Sequence, residues 1–200
     1  LKTDTRLPKG EPLGLGRYIA SKFDTTALVP YWQPSKDFRL IGAPTVLVPP
    51  RDGNSLDPNE IEHALRIIHA ANPIAVVVMD PNKAEQLAEW CRKELGAKVI
   101  ERKQTNAASE VDYARFMEGL RSGFLHHTGD RTLSQHVLNA ITRMTPFGAA
   151  RFDESHASRH ENTPNQGTRV IDALVAASMV HSQANEEVPT ETKPVWRLLA

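Results

Sequence analysis

A run of six apolar residues, Ile74–Met79 (IAVVVM), followed at once by Asp80 and Pro81, restricts the fold of this chain more than any other feature. A strand with one wet face would alternate apolar and polar residues, and this run does not. It reads as a strand covered on both faces, the situation of a parallel strand at the centre of a layered α/β sheet. An apolar content of 40% over 200 residues is enough to supply the covering layers, and the length suits a single α/β domain.

On the N-terminal side the residues read as an antiparallel meander. Residues 13–19 form a short apolar segment and 21–24 a turn. Ala27, Val29 and Tyr31 alternate on one face of a β-prone stretch over 25–32, and 38–48 is a further strand-like run, broken near Pro44. A helix then follows from LDPNEIEHALRIIHA. Asp57 is its N-cap, Pro58 suits the first helical position, and Glu60 closes a capping box. Ile61, Ala64, Leu65 and Ile68 form its apolar stripe.

After the central strand, the spacing of Ala84, Leu87, Ala88, Cys91 and Leu95 predicts a helix over 81–95, ended by Gly96. Residues 98–102 read as a short strand, and Tyr113, Phe116, Met117 and Leu120 mark another helix. Residues 133–144 predict a short helix, 145–166 a polar surface loop over the site, and 170–182 an Ala-rich buried helix. Residues 1–12 read as a linker or frayed arm, 13–182 as one domain, and 183–200 as a polar tail in which 195–199 (VWRLL) is apolar enough to dock. The order βββαβαβα is that of an RNase H-like fold, in which the first and fourth strands lie side by side.

Several function classes lack their signatures. No GxxxxGK[ST] phosphate loop, GxSxG elbow, GxGxxG fingerprint or HExxH helix occurs. The eight histidines have no zinc-ligand spacing, so no metal or catalytic duty is assigned to them. Cys91, the one cysteine, lies on an apolar helix stripe and reads as core; a single cysteine also excludes an internal disulfide, which fits a reducing compartment. No apolar run approaches the roughly 18 residues of a membrane span. With 24 basic and 24 acidic residues there is no global basic field, although a local patch remains open. No secretory leader is read, and the opening on Leu1 rather than Met leads us to expect a piece of a longer protein.

Two aspartates stand out chemically. Asp80 closes the buried strand, where α/β folds place ligands at the carboxyl ends of parallel strands; an Asp-Pro pair is also an ordinary helix start. Asp172 lies in the first turn of a helix otherwise made of Val170, Ile171, Ala173, Leu174, Val175, Ala176 and Ala177. A negative charge at a helix N-terminus gains about 0.3–1 kcal/mol, far less than burial of a lone carboxylate costs. Asp24, in the KFDTTALV turn, reads first as a turn aspartate bonding its own backbone, and second as a further catalytic candidate beside Asp80 and Asp172. Arg143, Arg151, Arg159 and Arg169 lead into the Asp172 helix and are candidates for a phosphate-contacting edge.

The chain resembles the C-terminal nuclease domain of phage terminase large subunits, the motors that package viral DNA. Five stretches carry the resemblance in order: DTTALVPYW, VVVMDPNKAEQLAEW, GAKVIERKQTNA, GFLHHTGDRTLSQHVLNA and VIDALVAASMVHS. The most family-like is Gly123-x-Leu125-x-His127 followed by Leu133-x-x-His136-Val137-x-Asn139-Ala140. The resemblance implies an RNase H-like α/β fold, a mixed central sheet with the N-terminal meander flanked by helices. It implies an endonuclease that cuts concatemeric double-stranded DNA with two Mg²⁺ or Mn²⁺ ions. The second and third metal-binding acids map to Asp80 and Asp172; the first belongs six residues before Asp24, at Tyr18. Further implied are an upstream ATPase domain, portal and small-terminase partners, no membrane, and the host cytoplasm as location. A two-metal scheme needs carboxylates from separate elements converging on the ions. Tyr18 supplies none, so the alternative is a catalytically impaired module that kept the fold to grip DNA or dock.

Overall fold

A computed structural model describes residues 6–19, 25–50, 55–81, 84–146, 148–154 and 170–186. Four strands, β1 (Leu13–Ile19), β2 (Thr26–Ser35), β3 (Phe38–Ile41) and β4 (Thr45–Leu47), form the antiparallel meander. The break near Pro44 splits the run over 38–48 into two strands that pair with opposite ends of β2, in registers Tyr31↔Ile41 and Thr26↔Leu47. Pro44 has no N–H to donate, so one continuous ladder is ruled out there.

Helix α1 (Pro58–Ala71) starts where the caps place it. The Asp57 carboxylate accepts from Asn59 N at 2.9 Å, while Glu60 N donates to the Asp57 carbonyl at 3.0 Å. The apolar run is β5 (Ile74–Met79), in which Val76, Val77, Val78 and Met79 are wholly buried. Then follow α2 (Glu85–Glu94), β6 (Lys98–Glu101), α3 (Asn106–Arg121), β7 (Leu125–His127), α4 (Arg131–Asn139), β8 (Ala140–Met144), β9 (Ala150–Glu154) and α5 (Asp172–Glu186). The main sheet has the order β6-β5-β1-β2-β3-β7, with β4 on β2. The first strand and the apolar run are thus parallel neighbours, the pairing an RNase H-like order requires.

The reason for the missing alternation in β5 is visible in the two cores. Val76 and Val78 face α3, α4 and α5 together with Ala27, Val29 and Tyr31. Ile74, Val77 and Met79 face α1 and α2 together with Leu15, Leu28 and Cys91. Each face of the strand has its own helical layer, so neither face admits a polar residue.

Several boundaries differ from the expectations. The helix expected over 133–144 stops at Asn139, because Ala140 is extended (φ −78°, ψ 143°) and 140–144 pairs with 150–154 as a separate two-stranded sheet. Part of the expected loop is therefore the strand β9, and the hairpin closes through Thr145 N to Ala149 O at 2.7 Å. Helix α2 starts at Glu85 rather than 81, and α5 runs to Glu186, past 182. Residues 6–12 are fastened rather than frayed: Asn72 Nδ2 donates to the Glu11 carbonyl at 3.0 Å, and Gly10 N to the Ala71 carbonyl at 3.2 Å. Strand β7 was not anticipated. No helix among the described residues is long and apolar enough to cross a membrane.

Candidate metal centre

Strands β1 and β5 run parallel in the register Arg17↔Met79, so their carboxyl ends lie side by side. Side chains alternate along a strand. Val76 and Val78 belong to the α5-side core, and Asp80 continues their parity. On β1 that parity falls to Gly14, Gly16 and Tyr18, and Tyr18 packs against the same core. Strand β2 begins beside the end of β1, through Tyr18↔Ala27 and Ile19↔Thr26.

Asp172, the first residue of α5, reaches this edge from the helical layer. It is 1% exposed, and Thr25 Oγ1 donates a hydrogen bond to its Oδ2. The strand order β5-β1-β2 therefore places Asp80, Tyr18 and the Thr25–Asp172 pair in sequence along one sheet end. At about 4.8 Å per strand the outer two strands are roughly 10 Å apart, with Tyr18 on the strand between them. Gly16 lets the helix come this close: a Cβ there would stand 2.8 Å from the Ala176 carbonyl carbon.

Asp80, 8% exposed, is held differently from the helix-start reading. It does not sit at the start of α2, which begins beyond it with Ala84 at the N-cap. Its Oδ2 instead accepts from Gln104 N at 3.2 Å, and Arg102 N donates to the Met79 carbonyl at 2.9 Å. The turn after β6 thus folds over the end of β5 and orients the carboxylate. Among the described residues the buried Nε2 of Gln104 has no hydrogen-bond partner, and it lies in that same turn.

Two further residues hold the start of α5. His136 Nδ1 accepts from Ala173 N at 3.0 Å, and Asn139 Nδ2 donates to the Val170 carbonyl at 3.1 Å. Burial keeps the His136 imidazole below its ordinary pKa. A groove of about 690 Å³ opens beside Thr25 and His136, between Arg131 and Gln135 of α4 and Val46 of β4.

The other expected residues fare unevenly. Asp24, Arg159 and Arg169 lie outside the described residues. Arg143 and Arg151 stand opposite each other on the β8–β9 hairpin and both turn to Asp153, at 2.6 Å and 3.6 Å. Both side chains stay partly exposed, at 35% and 29%. Cys91 is buried, and burial pushes its thiol up to about 11. Among the described residues no three His, Cys, Asp or Glu side chains gather closely enough to form a metal site by themselves. The centre as described is two carboxylates and a tyrosine. Thr25, Gln104, His136 and Asn139 were not assigned a site role from sequence, although His136 and Asn139 belong to the stretch that most resembles the terminase family, and Leu133 and His136 share one buried helical face.

No protein-family model matches the chain, and no curated protein sequence matches it. Solved structures do. The chain is similar to the large terminase of bacteriophage HK97, at 15% identity and TM-score 0.65, over 90% of this chain and 40% of that one. It is similar to the large terminase nuclease of thermophilic phage G20c, at 13% identity and TM-score 0.60, over 90% and 85%. The same nuclease with bound magnesium matches at 11% and 0.60, over 90% and 84%. The fold is therefore that of large-terminase nuclease domains, an RNase H-like mixed sheet.

Proposed function

We propose that this chain is the endonuclease domain of a viral DNA-packaging terminase, with Asp80 and Asp172 as the carboxylates that hold a divalent metal. One observation carries the reading: two nearly buried carboxylates from separate elements stand at the same end of the sheet, at β5 and at β2 on either side of β1, on a fold shared with terminase nucleases. The magnesium bound by the G20c nuclease supports the same class of ion here.

The residues fit such an ion in kind. Hard carboxylate oxygens suit Mg²⁺ or Mn²⁺, and buried carboxylates gain most from a cation that offsets their lost hydration. When bound, the metal polarises a phosphoryl oxygen and lowers the pKa of water. The chain does the rest. Gln104 N and Thr25 Oγ1 fix the two carboxylates before any ion arrives. The α5 layer keeps bulk water off Asp172. Double-stranded DNA as substrate, an upstream ATPase domain, portal and small-subunit partners, and a place in the host cytoplasm belong to the same proposal.

Tyr18 favours the second reading, a module that grips DNA and cuts slowly or not at all. It occupies β1 between the two acids, and an ordinary phenol carries no charge near pH 7. Digestion of supercoiled plasmid with and without Mn²⁺ separates the readings. Metal-dependent nicking that Asp80→Asn abolishes supports the nuclease, and DNA retention without nicking supports the impaired module.

A further inference from the structure

We propose that His136 is a positioning residue for Asp172, assisted by Asn139. The proposal rests on the metal-centre reading above. A helix start leaves its first amides without internal partners, and an aspartate there readily folds back to bond them. In α5 two of those amides are already taken. The Ala173 amide is taken by His136 Nδ1 at 3.0 Å, and the Val175 amide by the Ile171 carbonyl at 3.0 Å. Asn139 anchors the residue that enters the helix, through the Val170 carbonyl at 3.1 Å. The Asp172 carboxylate meets Thr25 at the sheet end.

The choice of an imidazole follows from charge. A carboxylate acceptor at this place would put a second negative charge beside Asp172. An imidazole whose Nδ1 accepts an amide proton is neutral and reaches across, and it is 4% exposed. Burial favours that uncharged form. His136 and Asn139 lie one turn apart on α4, so a single helix holds both sides of the α5 entry.

The test compares the wild type with His136→Leu, His136→Asn and Asp172→Asn. Each is titrated with MnCl₂ by calorimetry, and metal-free amide exchange is followed at Ala173. Asn places an amide oxygen where Nδ1 stands, while Leu leaves the Ala173 amide without an acceptor. His136→Leu is expected to weaken Mn²⁺ binding roughly tenfold or more, in line with the loss of other groups that orient metal ligands, and to speed exchange at Ala173. His136→Asn is expected to restore most of both. Unchanged Mn²⁺ affinity in His136→Leu overturns the proposal while leaving the metal centre standing. So does a His136→Asn variant as weak as His136→Leu. A wild type that binds Mn²⁺ no better than Asp172→Asn overturns the metal-centre reading, and the positioning role with it. If His136→Leu does not fold, Asn139→Ala carries the test: a severalfold loss of affinity is expected, and none contradicts the proposal.

Discussion

Thr25 Oγ1 donates to Asp172 Oδ2 across 147 positions of sequence, joining the start of β2 to the start of α5. Both residues are almost fully buried, so water cannot replace the bond. Thr25→Val should destabilise the fold by about 1.5–3 kcal/mol, the range for a hydrogen bond to a charged group, while Thr25→Ser keeps most of the stability. Urea unfolding at neutral pH measures both.

Gly16 is the point at which β1 passes beneath α5. A Cβ there would stand 2.8 Å from the Ala176 carbonyl carbon, which is backbone and cannot rotate away. Gly16→Ala should therefore cost about 3 kcal/mol or more, the upper end of overpacking effects. A denaturant midpoint close to the wild type's would show that α5 does not rest on β1 as described.

His181 gives the fold an acid-sensitive limb. Tyr31 Oη lies 2.8 Å from its Nδ1, and burial, aided by the charge of Arg39, pushes its pKa down to about 3. The unfolded chain takes up this proton near pH 6.5. The stability associated with neutral His181 is thus complete above pH 6.5 and falls as the pH drops from there toward 3, by at most about 1.4 kcal/mol per unit. Between about pH 7.5 and 5 the wild type should lose about 2 kcal/mol more than His181→Asn in chemical denaturation. Equal losses would remove His181 from the account.

The fold was legible where local pattern and tertiary role agree. The unbroken apolar run Ile74–Met79 announced a strand with a helical layer on each face, and Asp57 with Pro58 marked the start of α1. Residues 140–144 misled because a strand of mixed exposure exists only through its partner 150–154, and strand preference is largely such context. Asp80 and Asp172 were legible as carboxylates that their apolar neighbours do not explain. Their supports were not: Gln104 reaches Asp80 over 24 positions and His136 reaches Ala173 over 37, separations that carry no local periodicity.

Tyr18 stands on β1 at the place between the two acids, with its ring against the α5-side core. Tyr18→Asp should raise Mn²⁺-dependent plasmid nicking about tenfold or more, since a carboxylate adds a charged ligand that the phenol lacks. The substitution also removes an aromatic ring from the core, so its melting temperature should fall. Brisk cleavage by the wild type with no gain in Tyr18→Asp would move the first acid elsewhere, with Asp24→Asn as the next variant to assay.

The central claim is that Asp80 and Asp172 serve one metal centre. Calorimetric titration of MnCl₂ into the wild type, Asp80→Asn, Asp172→Asn and the double variant tests it most directly. The account predicts measurable binding in the wild type, a loss of about tenfold or more in each single variant, and little further loss in the double, because residues that share one ion do not act additively. Equal Mn²⁺ binding in all four proteins would contradict it.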